Sequence, residues 1–135
     1  MKKPYLIELS KIGSDELGFI TVAEESNGIP FRIARAYWTY NTPENIERGN
    51  HAHKDLEQII IAVSGEITLE LENVHGESSK FVLDHPTKAL YIPGCYWRKI
   101  GFSKNAVLLC LASQVYQEND YIRDYEEFKK LKPNS

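Results

Sequence analysis

Residues 66–84, EITLELENVHGESSKFVLD, show the alternation of apolar and polar side chains that is typical of a β-hairpin. The apolar positions recur at every second residue on both predicted strands: Ile67, Leu69, Leu71, Phe81 and Leu83. Between the strands, residues 73–79 are rich in Asn, Gly and Ser, which favour turns. This stretch therefore predicts two antiparallel strands that share one buried face.

The rest of the chain extends the β pattern. Five further segments are short, apolar or alternating, and bounded by Gly, Pro, Ser or Asn: residues 5–12, 31–40, 57–65, 88–93 and 105–113. In the segment 31–40, FRIARAYWTY, alternation places one set of side chains on a common face: Phe31, Ile33, Arg35, Tyr37 and Thr39. Short strands at this spacing, with no helices between them, predict an all-β sandwich or barrel.

In the C-terminal segment the spacing of the apolar side chains changes from the strand period to the helical one. In residues 118–131, ENDYIRDYEEFKKL, Tyr121, Tyr125 and Phe128 fall at helical spacing, with acidic residues early and lysines late. We expect a short amphipathic helix here. A chain of 135 residues is long enough for one domain with a real core, so we expect residues 1–135 to form a single domain.

Composition narrows the classes of function. The chain is 42% hydrophobic and 26% charged with a net charge of -3, which gives no basic surface for nucleic acid. No charged-then-apolar leader and no apolar run near the length of a membrane span is present, so we expect a cytoplasmic protein without membrane association. Cys95 and Cys110 lie in or beside apolar runs and are expected to be buried, reduced thiols.

Residues 48–58, RGNHAHKDLEQ, contain the most distinctive side chains. His51 and His53 are separated by one residue, so an extended strand would place both imidazoles on one face, roughly 7 Å apart. Glu57 follows four residues later. This His-x-His-x-x-x-Glu pattern resembles the first motif of the cupin barrels, in which two histidines and a glutamate bind a divalent metal.

The second cupin motif lacks its histidine. Residues 88–103 contain Pro93-Gly94 at the expected turn, but Trp97 and Arg98 stand where the metal-binding histidine is expected. A guanidinium remains charged and repels a dication. We therefore predict no metal and no other cofactor, and we favour acid/base catalysis by the two imidazoles over metal binding.

A closer resemblance extends over nearly the whole chain. The segments FRIARAYWTY, RGNHAHKDLEQ, YIPGCYWRKIGFS, VLLCLAS and YQENDYIRDYEEF are similar to the cupin family of dTDP-4-keto-6-deoxyglucose 3,4-ketoisomerases, also called WxcM-like or FdtA-type proteins. The resemblance implies a jelly-roll barrel that forms a homodimer through exchanged N-terminal strands. It also implies metal-free isomerisation of a dTDP-linked keto-deoxysugar, in deoxyamino-sugar synthesis for bacterial surface polysaccharides such as lipopolysaccharide.

The resemblance also implies roles for individual residues. His51 and His53 match the catalytic pair, and Tyr37, Arg35 and Arg48 match positions that face the same cavity. Trp97 and Arg98 match a Trp-Arg-Glu segment and are candidates for substrate binding. Lys99 replaces the glutamate of that segment, so the role of Lys99 is open. The role of Glu57 is also open.

The chemistry of these residue types agrees with such a reaction. Moving a ketone from carbon 4 to carbon 3 requires removal of a proton from carbon 3, an enediol, and delivery of a proton to carbon 4, so an acid and a base are needed together. Tyr37 could hydrogen-bond a sugar oxygen, and Arg35, Arg48 or Arg98 could hold the diphosphate. His75 and His85 are expected in exposed loops. Two alternatives stay open: a dTDP-sugar 3,5-epimerase with a histidine base and a tyrosine acid, and a non-catalytic sugar-nucleotide-binding cupin.

Overall fold

The computed structural model describes residues 2–133. In chain order its strands are β1 (Tyr5–Glu8), β2 (Ser10–Ser14), β3 (Gly18–Val22), β4 (Glu24–Glu25), β5 (Gly28–Ile29), β6 (Arg35–Thr39), β7 (Arg48–His53), β8 (Gln58–Ser64), β9 (Ile67–Glu72), β10 (Ser78–Leu83), β11 (Lys88–Ile92), β12 (Trp97–Phe102), β13 (Val107–Ala112) and β14 (Tyr121–Ile122). A 3₁₀ turn at Glu118–Asp120 precedes β14, and one α-helix, α1, spans Tyr125–Lys129.

Two five-stranded antiparallel sheets face each other. The first sheet has the order β1-β11-β8-β13-β6, and the second has the order β10-β9-β12-β7-β14. Within residues 2–133, no strand pairing joins the two sheets into a closed barrel. The prediction of an all-β fold with a short C-terminal helix is confirmed, as an open two-sheet jelly roll.

The hairpin that predicts the fold forms as expected. β9 and β10 pair with Ile67 opposite Leu83 and Leu69 opposite Phe81. At the turn, the Asn73 side-chain oxygen accepts hydrogen bonds from the backbone N–H groups of His75 and Glu77. The apolar face of β9 packs into the main core between the two sheets, together with inward side chains of β8, β11 and β13.

Each sheet also carries an apolar cluster on its outer face. Outside the first sheet, Ile59, Ile61 and Tyr91 pack against the N-terminal residues of the chain. Outside the second sheet, Ala52 and Trp97 are covered by Phe128 of α1. Strands that are apolar on both faces explain why residues 59–63, IIIAV, form a continuous apolar run rather than an alternation.

The segment 31–40 differs from its prediction. Only Arg35–Thr39 is a strand, and Phe31 and Ile33 pack into the cluster outside the first sheet, whereas Tyr37 packs against the main core. The five side chains therefore do not share one face. The period of two holds only while the backbone stays extended and paired, and residues 31–34 lie outside any strand.

The structure at the two ends of the chain also differs from the predicted elements. The segment 5–12 is divided at Leu9: β1 joins the edge of the first sheet beside β11, and β2 begins a separate hairpin with β3. At the C-terminus, Tyr121 belongs to β14 and pairs with β7, so the helix begins only after Asp124, whose carboxylate caps it. Pairing with a neighbouring strand overrides the helical spacing of Tyr121. No helix in residues 2–133 is long and apolar enough to cross a membrane.

Candidate active site

The two histidines stand side by side on β7, inside the jelly roll. Their side chains are on the face that looks onto the first sheet, while Ala52 between them packs on the outer face. The ring centroids are 5.0 Å apart and the rings are perpendicular. The expected placement of both imidazoles on one strand face is therefore found.

The backbone before His51 has an unusual conformation. Gly49 has φ +89° and Asn50 has φ 55°, opposite a register shift between Arg98 and Lys99 of β12. A Cβ atom on Gly49 would lie 2.8 Å from the Arg98 carbonyl oxygen, so only glycine fits this close approach. The bulge turns the Gly49 carbonyl toward His51, whose Nδ1 lies 3.0 Å from that oxygen.

The two imidazoles have different access to solvent. His51 is partly exposed and lines a cavity, whereas His53 is only 1% exposed and lies deeper. Since a carbonyl oxygen can only accept, Nδ1 of His51 carries the proton and Nε2 is the free basic nitrogen. His51 is therefore the imidazole that a ligand in the cavity meets first.

His53 is held by a carboxylate that the sequence analysis missed. Its Nδ1 lies 3.2 Å from Asp120 Oδ2, and Asp120 also accepts from the backbone N–H groups of Asp55 at 2.9 Å and Leu56 at 3.3 Å. These contacts make the carboxylate an acceptor on both oxygens, which assigns the His53 proton to Nδ1. Asp120 lies 67 positions from His53 in the chain, and no local pattern connects them.

Both imidazoles have pKa values well below that of a free histidine. Burial, followed by the nearby Arg98 guanidinium, lowers the pKa of His51 to about 4 and that of His53 to about 2. Desolvation disfavours the charged imidazolium, and the buried cation adds repulsion. Both rings are therefore neutral near pH 7 and able to accept a proton from a bound ligand.

A buried polar network lies across from the histidines. Gln58 on β8 donates from Nε2 to the Tyr37 hydroxyl at 3.1 Å and accepts from Nη1 of Arg98 through Oε1. Arg98 also donates to the Tyr96 carbonyl at 3.3 Å, and its Nε has no partner. Burial raises the pKa of Tyr37, so its phenol stays protonated. Among the described residues, no carboxylate lies within salt-bridge distance of Arg98.

The cavity in front of His51 has a volume of about 580 Å³, within the range of small-molecule sites. Its lining combines His51 with two tyrosines and three arginines: Tyr37, Tyr121, Arg35, Arg48 and Arg123. The structure thus brings four predicted site residues together and adds Tyr121 and Arg123. The Arg123 guanidinium stacks over the Tyr121 ring at 4.4 Å and forms two hydrogen bonds with Glu118.

Three residues considered in the sequence analysis lie elsewhere. Trp97 packs against Tyr125 and Phe128 outside the second sheet, and Lys99 is exposed on that same side. Alternation along β12 sends Arg98 inward and its two neighbours outward, so Trp97 cannot contact a ligand in this cavity. Arg98 itself is only 2% exposed and is not among the residues that line the cavity, so of the three arginines considered for the diphosphate only Arg35 and Arg48 lie in its wall.

The cupin metal pattern is not assembled. Glu57 accepts hydrogen bonds from the Tyr91 hydroxyl and from Lys2 at 2.9 Å, beside the outer face of the first sheet and away from the histidines. Within residues 2–133, no group of three or more His, Cys, Asp or Glu side chains is arranged to hold a metal ion. The residues present do not fit the metal of that fold family. Cys95 and Cys110 are buried free thiols, as expected.

Comparison with known proteins identifies the family of this chain. The family model described as FdtA, WxcM-like, C-terminal, matches residues 2–133. This chain belongs to the FdtA family. A curated relative from Aneurinibacillus thermoaerophilus, a TDP-4-oxo-6-deoxy-alpha-D-glucose-3,4-oxoisomerase, is 38% identical over 117 residues that cover 86% of this chain and 84% of the relative.

Solved structures with the same fold include further ketoisomerases. QdtA from Thermoanaerobacterium thermosaccharolyticum, a sugar 3,4-ketoisomerase in complex with TDP, has a TM-score of 0.89 and 36% identity, covering 93% of this chain and 91% of QdtA. WlaRB from Campylobacter jejuni, a TDP-quinovose 3,4-ketoisomerase, has a TM-score of 0.90 and 37% identity, covering 97% of this chain and 100% of WlaRB. The FdtA family resemblance inferred from the motifs is confirmed.

Proposed function

We propose that this protein is a sugar-nucleotide 3,4-ketoisomerase that converts dTDP-4-keto-6-deoxyglucose to a dTDP-3-keto-6-deoxyhexose. The observation that carries the proposal is the neutral His51 imidazole, which faces an arginine-rimmed cavity with Nε2 free. Family membership and the activities of the relatives support the same reaction.

His51 is the residue that transfers the proton. Its Nε2 removes the proton from carbon 3, which the adjacent carbonyl acidifies. The C–H electron pair forms the carbon 3–carbon 4 double bond, and the carbonyl π pair moves to oxygen 4. The hydroxyl proton of oxygen 3 passes to the neighbouring oxygen 4, the carbonyl forms at carbon 3, and carbon 4 takes the proton from the imidazolium. No proton or electron is gained or lost overall, and Nδ1 stays hydrogen-bonded to the Gly49 carbonyl throughout.

His53 and Asp120 contribute to this step without contacting the substrate. His53 is too buried to meet a ligand directly, but its ring lies next to those of His51 and Tyr121, with centroids 5.0 and 4.3 Å away. Its hydrogen bond to Asp120 fixes the tautomer and the ring orientation. We assign His53 to holding the geometry of the pair, whereas the sequence analysis expected His51 and His53 to supply the acid and the base together.

The remaining polar groups divide between the two ends of the substrate. Tyr37 and the buried charge of Arg98 act at the sugar, where negative charge develops on oxygen in the enediol step. Arg35 and Arg48 line the cavity and bind the diphosphate, since their guanidinium groups match phosphate oxygens in bidentate geometry. Arg123 lines the same cavity but is already paired with Glu118 through Nε and Nη2.

Turnover in D₂O, followed by NMR of the products, tests the proposal. Imidazole N–H groups exchange quickly with water, so we expect deuterium at carbon 4 of the 3-keto product and at carbon 3 of re-formed substrate. A 3,5-epimerase would label carbons 3 and 5 while the ketone stayed at carbon 4. Label at carbon 5 therefore rejects the isomerase, and absence of any 3-ketone favours a binding protein without catalysis.

The proposal includes a homodimer. The hairpin of β2 and β3 exposes apolar side chains, with Ile12 57%, Leu17 92% and Ile20 65% exposed. Beside it, a second cavity of about 570 Å³ on the outer face of the first sheet is lined largely by apolar residues such as Leu9 and Leu111. A second copy of the chain would bury this surface.

Exchange of the N-terminal strands fits the same surface. In the single chain, β1 pairs with β11 of the same chain, with Tyr5 opposite Tyr91. An exchanged dimer forms the same pairing between subunits, so that each edge of the first sheet beside β11 is covered by the partner.

A further inference from the structure

We infer that Gln58 is a positioning residue that fixes the Tyr37 hydroxyl as a hydrogen-bond donor toward the cavity. The inference rests on the proposed function, because it assigns Tyr37 a direction of hydrogen bonding in the isomerase reaction. Gln58 lies on β8 in the first sheet, on the wall opposite the histidine strand, and is 2% exposed. It is the residue that links Tyr37 of the first sheet to Arg98 of the second.

The orientation of the Gln58 amide follows from its neighbours. Arg98 has only donors, so the group that faces its Nη1 must be the amide oxygen, Oε1. The Nε2 group then faces the Tyr37 oxygen at 3.1 Å and the Cys110 sulfur at 3.2 Å. Its two hydrogens are thereby used, one on each acceptor.

The direction of the Tyr37 hydroxyl follows in turn. The Tyr37 oxygen accepts from Gln58, so its own proton must point to another acceptor. The Cys110 sulfur is a weak acceptor and already receives the second Nε2 hydrogen. In the substrate-free protein the Tyr37 proton can turn only to this weak sulfur acceptor, and in the cavity that Tyr37 lines a sugar oxygen is the stronger acceptor.

This direction matters for the reaction. An O–H group that is already aimed at the oxygen on which charge develops stabilises the enediol-forming transition state without reorganisation. If residue 58 presented only acceptors, the Tyr37 proton would turn toward it and away from the substrate. Arg98 is the group that prevents this, because it holds Oε1 and leaves Nε2 for Tyr37.

Two substitutions at position 58 distinguish this role from a structural one. Gln58→Glu keeps the size and the contact with Arg98 but presents only acceptors to Tyr37. Gln58→Met removes the hydrogen bonds with Tyr37, Cys110 and Arg98 and leaves the Tyr37 proton free to point into the cavity. We expect Gln58→Glu to lower kcat on the order of 10²-fold with little change in KM, and Gln58→Met to lower it less.

The Tyr37→Phe background separates this effect from the added charge. If Gln58 acts through Tyr37, Gln58→Glu should cost less than about threefold in kcat once the hydroxyl is gone. Wild-type kcat in Gln58→Glu, an equal loss in both backgrounds, or a larger loss in Gln58→Met would each overturn the inference.

A measurement on substrate-free protein keeps the test independent of activity and of folding at position 58. In Tyr37→Phe, one of the two Gln58 side-chain amide proton resonances should move upfield, because that proton loses its acceptor. An unchanged pair of resonances would overturn the inference even if isomerase activity were found. Absence of isomerase activity together with the expected shift would instead reject the proposed function and keep the hydrogen-bond assignment.

Discussion

Replacing His51 by asparagine should make the folded protein less sensitive to acid. His51 has an ordinary pKa of 6.5, which burial and the nearby Arg98 lower to about 4 in the folded protein. Between these two values the unfolded chain binds a proton at this residue and the folded chain does not. The stability that the neutral ring contributes is therefore complete above pH 6.5 and is lost as pH falls toward 4.

The size of the effect follows from the two pKa values. A shift from 6.5 to about 4 corresponds to a total of about 3 kcal/mol in the free energy of unfolding. Between pH 6 and pH 5, the wild-type protein should lose about 1 kcal/mol more than His51→Asn. The pKa of His53 is lowered to about 2. Its contribution to the free energy of unfolding is therefore the same in both proteins and cancels in the comparison.

Urea unfolding at pH 6 and pH 5 measures this difference. Protein concentration is held constant because a dimer would make stability depend on it. His75→Asn, in the exposed turn between β9 and β10, controls for the loss of a histidine from the surface. Equal pH dependence in wild type and His51→Asn would refute the reasoning, since it would mean that folding does not suppress protonation of this ring.

The other predictions concern catalysis and assembly. His51→Asn and His53→Asn should each lower kcat on the order of 10² or more while nucleotide affinity is kept, and wild-type turnover in either variant would contradict its role. Asp120 accepts hydrogen bonds from His53, Asp55 and Leu56, and Asp120→Asn would present an NH₂ group to one of these donors. The variant should lose about 1–3 kcal/mol of stability and should have a lower kcat rather than a higher KM. Unchanged turnover would mean that Asp120 has no role in the site. Protein treated with a chelator should keep full activity. If a divalent ion proved stoichiometric and essential, His51 and His53 would instead be assigned as metal ligands. Deleting residues 1–9 should give monomers or insoluble chain in sedimentation experiments, whereas a stable, active monomer would exclude the exchanged dimer.

Local patterns were sufficient for the all-β class, for the central hairpin and for the common face of the two histidines, but not for the bounds of every element. The hairpin of β9 and β10, the run of short strands and the common face of His51 and His53 all follow from a side-chain period of two, which depends only on neighbouring residues. The length of the matching motifs and their order along the chain were sufficient to identify the family. These features are local, so the sequence alone determined them.

The composition of the site depended on tertiary structure. Trp97 and Arg98 are adjacent in the chain, and only the position of β12 between β9 and β7 decides that Arg98 points inward and Trp97 outward. Asp120 and Gln58 reach His53 and Arg98 from 67 and 40 positions away, through pairing of β14 with β7 and the facing of the two sheets. Such contacts are set by how strands pair and how sheets pack across the core, and no interval along the sequence carries that information.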